Sequence, residues 1–229
     1  LRYATPGTWQ AFVVELIATL HVRGAGHVLV PEWRGTGQDF GIHYFRTVVA
    51  DARRLLDPLF GRGVAPSVET VRVLDGLRAH LDSLLLDAPR RTRVLAETGG
   101  PETLLHGDLW TTNVVVGQEP GGAVRLIDWD HAGAGPATYD LSTLLLRFPP
   151  SERSGVLAAY RHAMGRAGWR LPADRELNLL CDTAERARYA DRVVECAIAL
   201  IQDDAQWAPD TLADVLRWFD ALAPVLPEA

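Results

Sequence analysis

Lysine is absent from this sequence. All 23 basic residues of the 229-residue chain are arginine, and 29 acidic residues give a formal net charge of −6. No lysine amine can therefore hold a phosphate group here. The acidic balance disfavours nonspecific binding of nucleic acid, which requires a basic face. It is compatible with a cationic substrate, although many soluble proteins of this size carry a modest net charge for solubility alone.

Long apolar runs are also missing, and cysteine is scarce. The most apolar stretch, residues 12–20, is interrupted by Glu15 and Thr19. No run approaches the ~20 residues that a membrane-spanning helix needs. Cys181 and Cys196 are the only cysteines, and their apolar neighbours predict small hydrophobic residues rather than a disulfide or a metal site. Because the first residues lack a basic-then-apolar signal segment, we expect a cytoplasmic location with no membrane partner.

Apolar residues recur at helical spacing along most of the chain. This pattern predicts helices after Thr5-Pro6, over residues 42–56, from Ser67, from Ser151, over residues 177–201 as one or two helices, and after Pro209-Asp210. Residues 23–41, rich in Gly and Pro, are interpreted as a loop with a short extended piece at residues 28–30. Residues 88–102 are interpreted as a connector.

The middle of the chain has an extended pattern instead. Residues 103–105, 114–116 and 124–127 are interpreted as short strands, and the turn residues 119–122 join the last two into a hairpin. After Gly133, Gly135 and Pro136 the pattern is helical again. The sequence therefore predicts a mostly helical α+β fold with one small β-hairpin.

A polar motif lies between the first two predicted strands. Residues 106–113 are His-Gly-Asp-Leu-Trp-Thr-Thr-Asn, and Asp128 follows the hairpin in Ile-Asp-Trp. An acidic group, an amide five positions later and a second carboxylate match what phosphoryl transfer requires. One group orients the attacking hydroxyl, and two hold magnesium against the nucleotide phosphates. Asp and Asn are also common turn residues, but the ordered set favours the catalytic interpretation.

Three sequence blocks resemble the aminoglycoside phosphotransferase and choline kinase family, whose members are relatives of the protein kinases. The blocks are residues 106–113, 126–130 and 135–141, in this order. The resemblance implies a protein-kinase-like C-terminal lobe in which a small β-hairpin carries the catalytic loop. It also implies a kinase that uses Mg²⁺ and ATP. The γ-phosphate would pass to a hydroxyl of a small molecule, either an aminoglycoside-like antibiotic or another amino or hydroxy metabolite.

The resemblance also implies a role for each matching residue. Asp108 would be the catalytic carboxylate that aims the acceptor hydroxyl at the γ-phosphate. Asn113 and Asp128 would bind magnesium and, through it, the nucleotide. His106 would brace the loop, and Asp140 would anchor the loop backbone from below.

A kinase of this kind also needs an N-terminal lobe with a nucleotide-covering loop and a lysine on its third strand. Nothing before residue 106 has that pattern, and the chain starts at Leu1 with Met164 as its only methionine. We therefore expect the N-terminal β lobe, about 100 residues, to be absent from this sequence. The chain alone would then bind ATP poorly and be inactive.

On this interpretation the whole chain, residues 1–229, is the kinase-like catalytic C-terminal lobe. Within it we expect a functional division into three regions. These are a helical insert or substrate region over residues 23–100, a catalytic core over residues 103–141 and C-terminal helices over residues 151–229.

Three further residues are candidates for acceptor binding: Trp110, Asp191 and Glu195. Trp110 either packs under the loop or contacts the acceptor. Asp191 lies on an apolar face of its predicted helix, so we expect it to pair with an arginine or a cationic substrate. Glu195 belongs to a set of alternating charges typical of a solvated row of ion pairs, with a substrate pocket as the alternative. The other members of that set are Glu185, Arg188 and Arg192.

Two functions from different classes remain open at this stage. The first is an ATP-dependent phosphotransferase acting on a small hydroxylated molecule. The second is a non-catalytic kinase-like module that binds a small molecule and transfers nothing. The intact set of Asp108, Asn113 and Asp128 favours the first, because a module that only binds has no need of two magnesium ligands.

Overall fold

The computed structural model describes residues 9–60, 67–117 and 123–227. Its helices are α1 (Trp9–Gly24), α2 (Val30–Thr36), α3 (Tyr44–Phe60), α4 (Val68–Thr98), α5 (Thr138–Leu146), α6 (Pro150–Arg166), α7 (Asp174–Asp203) and α8 (Ala208–Ala221). Its strands are β1 (Gln38–Asp39), β2 (Glu102–Leu105), β3 (Val114–Val116), β4 (Val124–Leu126) and β5 (Gly133–Pro136). The predicted class, mostly helical α+β, is confirmed.

The strands form two small sheets. In the first, β5 lies between β1, to which it is parallel, and β2, to which it is antiparallel. The second sheet is the hairpin of β3 and β4, in which Val114 is paired with Leu126. The polar residues 106–113 connect β2 to this hairpin, and residues 127–132 lead from the hairpin back to β5. Both connections that carry the motif therefore run between the same two sheets.

The chain divides into two compact units, each assembled from segments that are distant in sequence. Unit 1 contains the described residues within 1–42, 94–181 and 224–229, and unit 2 contains those within 43–93 and 182–223. These units do not coincide with the three functional regions expected from the sequence. That functional division remains a prediction.

Unit 1 holds both sheets and a core built from α1, α5 and α6. Helix α1 contributes Val13, Val14, Ile17 and Ala18, which recur on one face because of the helical period. Helices α1 and α6 pack against each other, and α1 also contacts β2. Tyr160 of α6 is fully buried in this core. The packing fixes the strands that flank the polar loop.

Unit 2 is helical, with a core formed by α3, α4, α7 and α8. The predicted apolar face of α4 is confirmed, since Leu74, Leu77, Leu81 and Leu84 are all buried. The predicted start of this helix is confirmed as well. The Ser67 hydroxyl accepts a hydrogen bond from the Thr70 amide at 3.0 Å, which satisfies one of the free amides at the helix N-terminus.

Three local predictions are wrong. Within the predicted loop at 23–41, residues 28–29 form a turn rather than an extended piece, and residues 30–36 form a helix, since Pro31 lies in its first turn and Glu32 favours a helix start. Residues 88–98 continue α4 through Pro89, because Arg91 is held by Asp87 and Asp182. Residues 133–136, expected to be an irregular break before the next helix, form strand β5.

Strand β5 escaped prediction because close packing, rather than β propensity, selects its residues. A Cβ atom at Gly135 would lie 2.8 Å from atoms of Phe40, so only glycine fits.

Two helix predictions need smaller corrections. Helix α6 begins at Pro150, with Pro149 as its N-cap, and α7 is a single helix. Two predictions lie outside the described residues: the helix start at Thr5-Pro6 and the turn at 119–122.

Both cysteines behave as predicted. Cys181 and Cys196 are buried and not disulfide-bonded. Burial raises the pKa of the Cys196 thiol to about 11. Within the described ranges, no helix combines the length and apolarity needed to cross a bilayer.

Candidate active site

The polar loop leaves β2 through a tight turn at Gly107. This residue has a φ of +83°, and a Cβ atom there would overlap the carbonyl oxygen of His131. Only glycine combines that left-handed conformation with such close backbone approach at little cost. The loop then closes with a short 3₁₀ turn over Thr111–Asn113 that leads into β3.

Asp140, in the first turn of α5, holds the start of this loop. Its carboxylate is fully buried and accepts hydrogen bonds from the backbone amides of His106 at 2.8 Å and Gly107 at 2.9 Å. Burial alone would raise the pKa of Asp140. Hydrogen bonds from His21 and the two loop amides outweigh burial and lower it.

His21 of α1 is part of the same buried cluster and was missed by sequence reasoning. Its Nε2 donates to Asp140 Oδ2 at 3.2 Å, and its Nδ1 lies 2.6 Å from the Tyr160 hydroxyl. Both rings are fully buried. Burial and the Asp140 charge raise the pKa of Tyr160 well above its usual value. In the sequence, His21 is marked only by being a histidine within an apolar helix. That does not identify its partners, which lie more than 100 positions away.

His106 links the two connections that carry the motif. Its ring is buried, Nε2 donates to the Ile127 carbonyl at 2.8 Å, and Nδ1 accepts from the Asp108 amide at 3.4 Å. The ring also packs against Trp129, with the centroids 4.7 Å apart. The geometry ties residue 108 to the segment that carries residue 128.

Asp108 and Asn113 form a direct pair across the loop. The Asn113 amide nitrogen donates to the backbone carbonyl of Asp108 at 2.9 Å and to Oδ2 of the same residue at 3.1 Å. Asn113 is only 7% exposed, whereas Asp108 is half-buried. Both protons of this amide can be used on Asp108. Its carbonyl oxygen accepts a long hydrogen bond from the Thr112 hydroxyl at 3.5 Å, which leaves its second lone pair for another interaction.

Asp128 joins the pair through the backbone. The Ile127 amide donates to the Asn113 carbonyl at 3.0 Å, which extends the hairpin pairing as far as the residue before Asp128. Asp128 itself is exposed and has a φ of +63°, a left-handed conformation that Asp tolerates better than most residues. Its carboxylate is thus turned out of the ladder at the hairpin end.

The donor set suits a hard divalent cation. The Asn113 amide oxygen and the Asp128 carboxylate offer the oxygen ligands that magnesium prefers, while nucleotide phosphates and water would complete the coordination. In the described part of the chain, no group of three or more His, Cys, Asp or Glu side chains forms a metal site.

Trp110 lies beside this set, and the other two acceptor candidates lie in unit 2. Trp110 is 38% exposed, and the Arg147 guanidinium lies 3.2 Å from its ring centroid. The predicted apolar setting of Asp191 is wrong, because Asp191 is exposed, as is Ile198 on the same stripe. Glu195 is exposed and forms an ion pair with Arg192, as a solvated stripe predicts.

Glu185 departs from that predicted stripe. It is 2% exposed and accepts a hydrogen bond from Arg188 at 2.6 Å. The spacing of charges along α7 could not distinguish a solvated pair from a buried one. That distinction depends on which neighbouring helices cover each turn.

Comparison with known proteins identifies one sequence family. Residues 9–180 match the model of the phosphotransferase enzyme family. No curated protein matches the sequence.

Solved structures share the fold at low sequence identity. A choline/ethanolamine kinase family protein from Mesorhizobium loti is 16% identical with a TM-score of 0.54. The match covers 95% of this chain and 64% of that protein's chain. An ethanolamine kinase from Plasmodium vivax is 13% identical with a TM-score of 0.56, covering 93% and 59% respectively. A spectinomycin phosphotransferase in complex with ADP and spectinomycin is 13% identical with a TM-score of 0.53, covering 96% and 67%.

These matches show that the chain has a kinase-like fold and how much of the solved relatives' length it covers. The chain spans less than two thirds of the first two solved relatives, 64% and 59% of their lengths. A mostly helical chain of this extent agrees with the predicted C-terminal lobe.

Proposed function

Because the chain belongs to the phosphotransferase enzyme family, we propose that it supplies the catalytic residues of an ATP-dependent small-molecule phosphotransferase. The acceptor is a small molecule with a free hydroxyl group. The observation that carries this proposal is the hydrogen-bonded pair of Asp108 and Asn113, with Asp128 one residue beyond the same backbone ladder.

Asp108 is the catalytic carboxylate in this proposal. Its backbone carbonyl and one carboxylate oxygen are both fixed by Asn113, so the side chain is held in place before the acceptor arrives. The second carboxylate oxygen then accepts the hydrogen bond from the acceptor hydroxyl. Pre-positioning of this kind is the main contribution a protein can make to phosphoryl transfer.

The proposed reaction forms one bond and breaks another at the γ-phosphorus. The acceptor oxygen bonds to phosphorus, the bond from phosphorus to the β–γ bridging oxygen breaks, and ADP leaves. The hydroxyl proton passes to the Asp108 carboxylate late in the step and from there to solvent. Because Asp108 is half-buried, its carboxylate can meet the acceptor and still return the proton to water.

Asn113 and Asp128 would hold the magnesium ion. The Asn113 amide nitrogen is occupied by Asp108, so the amide oxygen is its remaining ligand atom, and the exposed Asp128 carboxylate is the second. When bound, the ion neutralises charge on the nucleotide phosphates. His106 and Asp140 act at one remove, because they fix the backbone on which the ligands sit.

Replacement of Asp108 tests the proposal. In the full-length protein, with ADP release measured against a panel of hydroxylated acceptors including amino sugars and hydroxy acids, Asp108→Ala is expected to lower turnover by about 10²–10⁴-fold. The melting temperature should change little, since the side chain is half-buried. Asp174→Ala, which removes an exposed aspartate of the same unit, is the matched control and should leave turnover unchanged.

A variant that keeps turnover within tenfold of the wild type would show that the role assigned to Asp108 is wrong. Saturable acceptor binding without any ADP release by the wild-type protein would instead support the non-catalytic binding module.

A further inference from the structure

A buried chain of three polar side chains lies beneath the catalytic loop. The Tyr160 hydroxyl lies 2.6 Å from Nδ1 of His21, and Nε2 of His21 lies 3.2 Å from Oδ2 of Asp140. The three residues come from α6, α1 and α5, and each of them is fully buried. The chain therefore joins three helices at one point in the core of unit 1.

The order of hydroxyl, imidazole and carboxylate is that of an acyl-transfer triad, but these residues are not placed to act as one. A nucleophile has to meet its substrate, and the Tyr160 hydroxyl has no exposed surface. Burial and the Asp140 charge also raise the pKa of Tyr160 well above its usual value, so the phenol keeps its proton. The effect of the chain must therefore be sought at its carboxylate end.

That carboxylate end contacts the start of the catalytic loop. Asp140 Oδ1 accepts from the Gly107 amide at 2.9 Å, and Oδ2 accepts from the His106 amide at 2.8 Å as well as from His21. Two of these donors belong to the loop itself and move with it. The His21 ring is the donor outside the loop, so it fixes the carboxylate relative to the core.

Each ring nitrogen of His21 has one partner. The ionised Asp140 carboxylate only accepts hydrogen bonds, so Nε2 carries a proton and donates to it. Nδ1 accepts from the Tyr160 hydroxyl when the ring is neutral and donates to it when the ring is charged. The ring is thus held at both nitrogens. Without the hydroxyl, Nδ1 would be buried with no partner and the ring would be held at one nitrogen only.

The same histidine also holds the strand that leads into the loop. Its backbone carbonyl accepts a hydrogen bond from the Thr103 hydroxyl at 2.6 Å. Thr103 is buried in β2, three residues before His106. A Cβ atom at Gly24, three residues further along α1, would lie 2.5 Å from the Thr103 hydroxyl oxygen, so helix and strand are in close contact. His21 is therefore linked to the loop through β2 and through Asp140.

We propose that His21 and Tyr160 are positioning residues of the catalytic loop and act through Asp140. They contact neither the acceptor nor the nucleotide. They hold the Asp140 carboxylate, and with it the backbone of residues 106 and 107, so that the Asp108 carboxylate keeps one orientation. This rests on the proposed function, since Asp108 is the residue whose position matters. A displacement of about 1 Å at a reacting group can lower a rate on the order of 100-fold, so the effect belongs to kcat.

Graded variants of the two residues test the proposal in the full-length protein, with ADP release from MgATP measured with water as the acceptor. His21→Leu should lower kcat about 10–100-fold while the KM for ATP changes less than about threefold. His21→Gln keeps a donor near the position of Nε2 and should restore kcat to within about fivefold of the wild type. Tyr160→Phe, which removes one oxygen atom, should give a loss between those two.

A matched control separates positioning from stability. Asn178→Ala removes another hydrogen-bonded pair of unit 1, in which the Asn178 side chain donates to the Leu226 carbonyl at 3.1 Å and accepts from the Leu226 amide at 2.9 Å. This variant should lower the melting temperature and leave kcat unchanged, with every variant assayed well below its own melting temperature. An equal fall of kcat in Asn178→Ala and His21→Leu, or no restoration by His21→Gln, would overturn the inference.

Hydrogen exchange followed by mass spectrometry tests the same inference without turnover. In Tyr160→Phe, a peptide covering residues 105–110 should exchange faster than in the wild type, while peptides of α8 should not change. If the wild type releases no ADP, or Asp108→Ala releases as much, the phosphotransferase proposal fails, and faster exchange in Tyr160→Phe still supports the hold on the loop. If ADP release requires Asp108 but Tyr160→Phe changes neither exchange nor kcat, the function stands and the positioning role fails.

Discussion

Gly107 is the residue whose conformation most directly fixes the catalytic loop. It has a φ of +83°, its amide donates to Asp140, and the His131 backbone occupies the space where a Cβ atom would lie. Gly168, with a φ of +82°, has a similar conformation but nothing within 4 Å of that position. The two glycines therefore differ in packing and not in backbone geometry.

Gly107→Ala is expected to destabilise the protein more than Gly168→Ala. The left-handed conformation should cost about 1 kcal/mol at either position. The backbone clash at residue 107 should bring its total to about 3 kcal/mol. Urea unfolding of the two variants measures the difference directly. Equal losses would show that His131 moves aside without penalty.

At the scale of single residues, the sequence pattern picks out the polar residues Asp108, Asn113 and Asp128 but not the buried residues that support their loop. Asp108, Asn113 and Asp128 were found because the loop and hairpin keep them close in sequence as well as in space. His21 was not, because it meets Asp140 across 119 positions and Tyr160 across 139. The burial of Glu185 and the exposure of Asp191 were likewise set by neighbouring helices, which local spacing does not reveal.

At the scale of elements, α5 is the support of the site. Its residues 138–145 are all buried, so the helix cannot shift without disturbing the core of unit 1. The Asp140 carboxylate transmits that rigidity to the loop through the two amides that it accepts. The pKa of Asp140 is lowered, so the carboxylate remains ionised in its buried setting at neutral pH.

Asp140→Asn should destabilise the protein by about 3 kcal/mol at pH 7, since an amide cannot accept from all three donors and leaves a buried donor unsatisfied. The folded-state pKa is below the ordinary value of about 4. The carboxylate therefore stabilises the fold above that value, and its contribution is lost as the pH falls through the folded pKa. The unfolding free energies of wild type and variant should therefore differ less at pH 3 than at pH 7.

Asp174→Asn, an exposed aspartate paired with Arg161, is the control and should change stability by less than about 1 kcal/mol at either pH. A difference between wild type and Asp140→Asn that grew as the pH fell would contradict the assigned direction of the pKa shift.

Elements with a strong apolar period were predicted, and those selected by contacts were not. The Leu-rich face of α4 and the strands β2, β3 and β4 follow from local patterns. The extension of α4 past Pro89 depends on ion pairs of Arg91 with Asp87 and Asp182. Strand β5 depends on glycines that admit Phe40. Neither dependence is visible in a window of neighbouring residues.

At the scale of the whole molecule, each of the two units contains one cysteine whose reactivity reports on burial in that unit. Cys181 belongs to unit 1 and Cys196 to unit 2, and both are buried. The units themselves could not be predicted, because each combines segments that are separated by long stretches of the other, such as residues 43–93 and 182–223, which interrupt unit 1. Only tertiary contacts decide which segments are grouped.

Both thiols are expected to react slowly with an aromatic disulfide reagent in the folded protein. The thiolate is the reactive form, and with the pKa of Cys196 at about 11 only about 10⁻³ of it is ionised at pH 8. We expect labelling at least 100-fold slower than in denaturant, followed by absorbance. Cys196→Ser and Cys181→Ser variants assign each phase, and rapid native labelling of Cys196 would contradict its burial.

Helix α5 contacts the polar loop twice, through Asp140 at the amides of residues 106 and 107 and through Arg147 at the Trp110 ring. This double attachment limits how the family fold can vary at this point. One inserted residue between positions 140 and 147 would rotate everything after it by about 100° and advance it by about 1.5 Å. The carboxylate and the guanidinium could then no longer meet the same loop. Insertions and deletions should be accepted elsewhere, while the seven-residue interval stays constant in length.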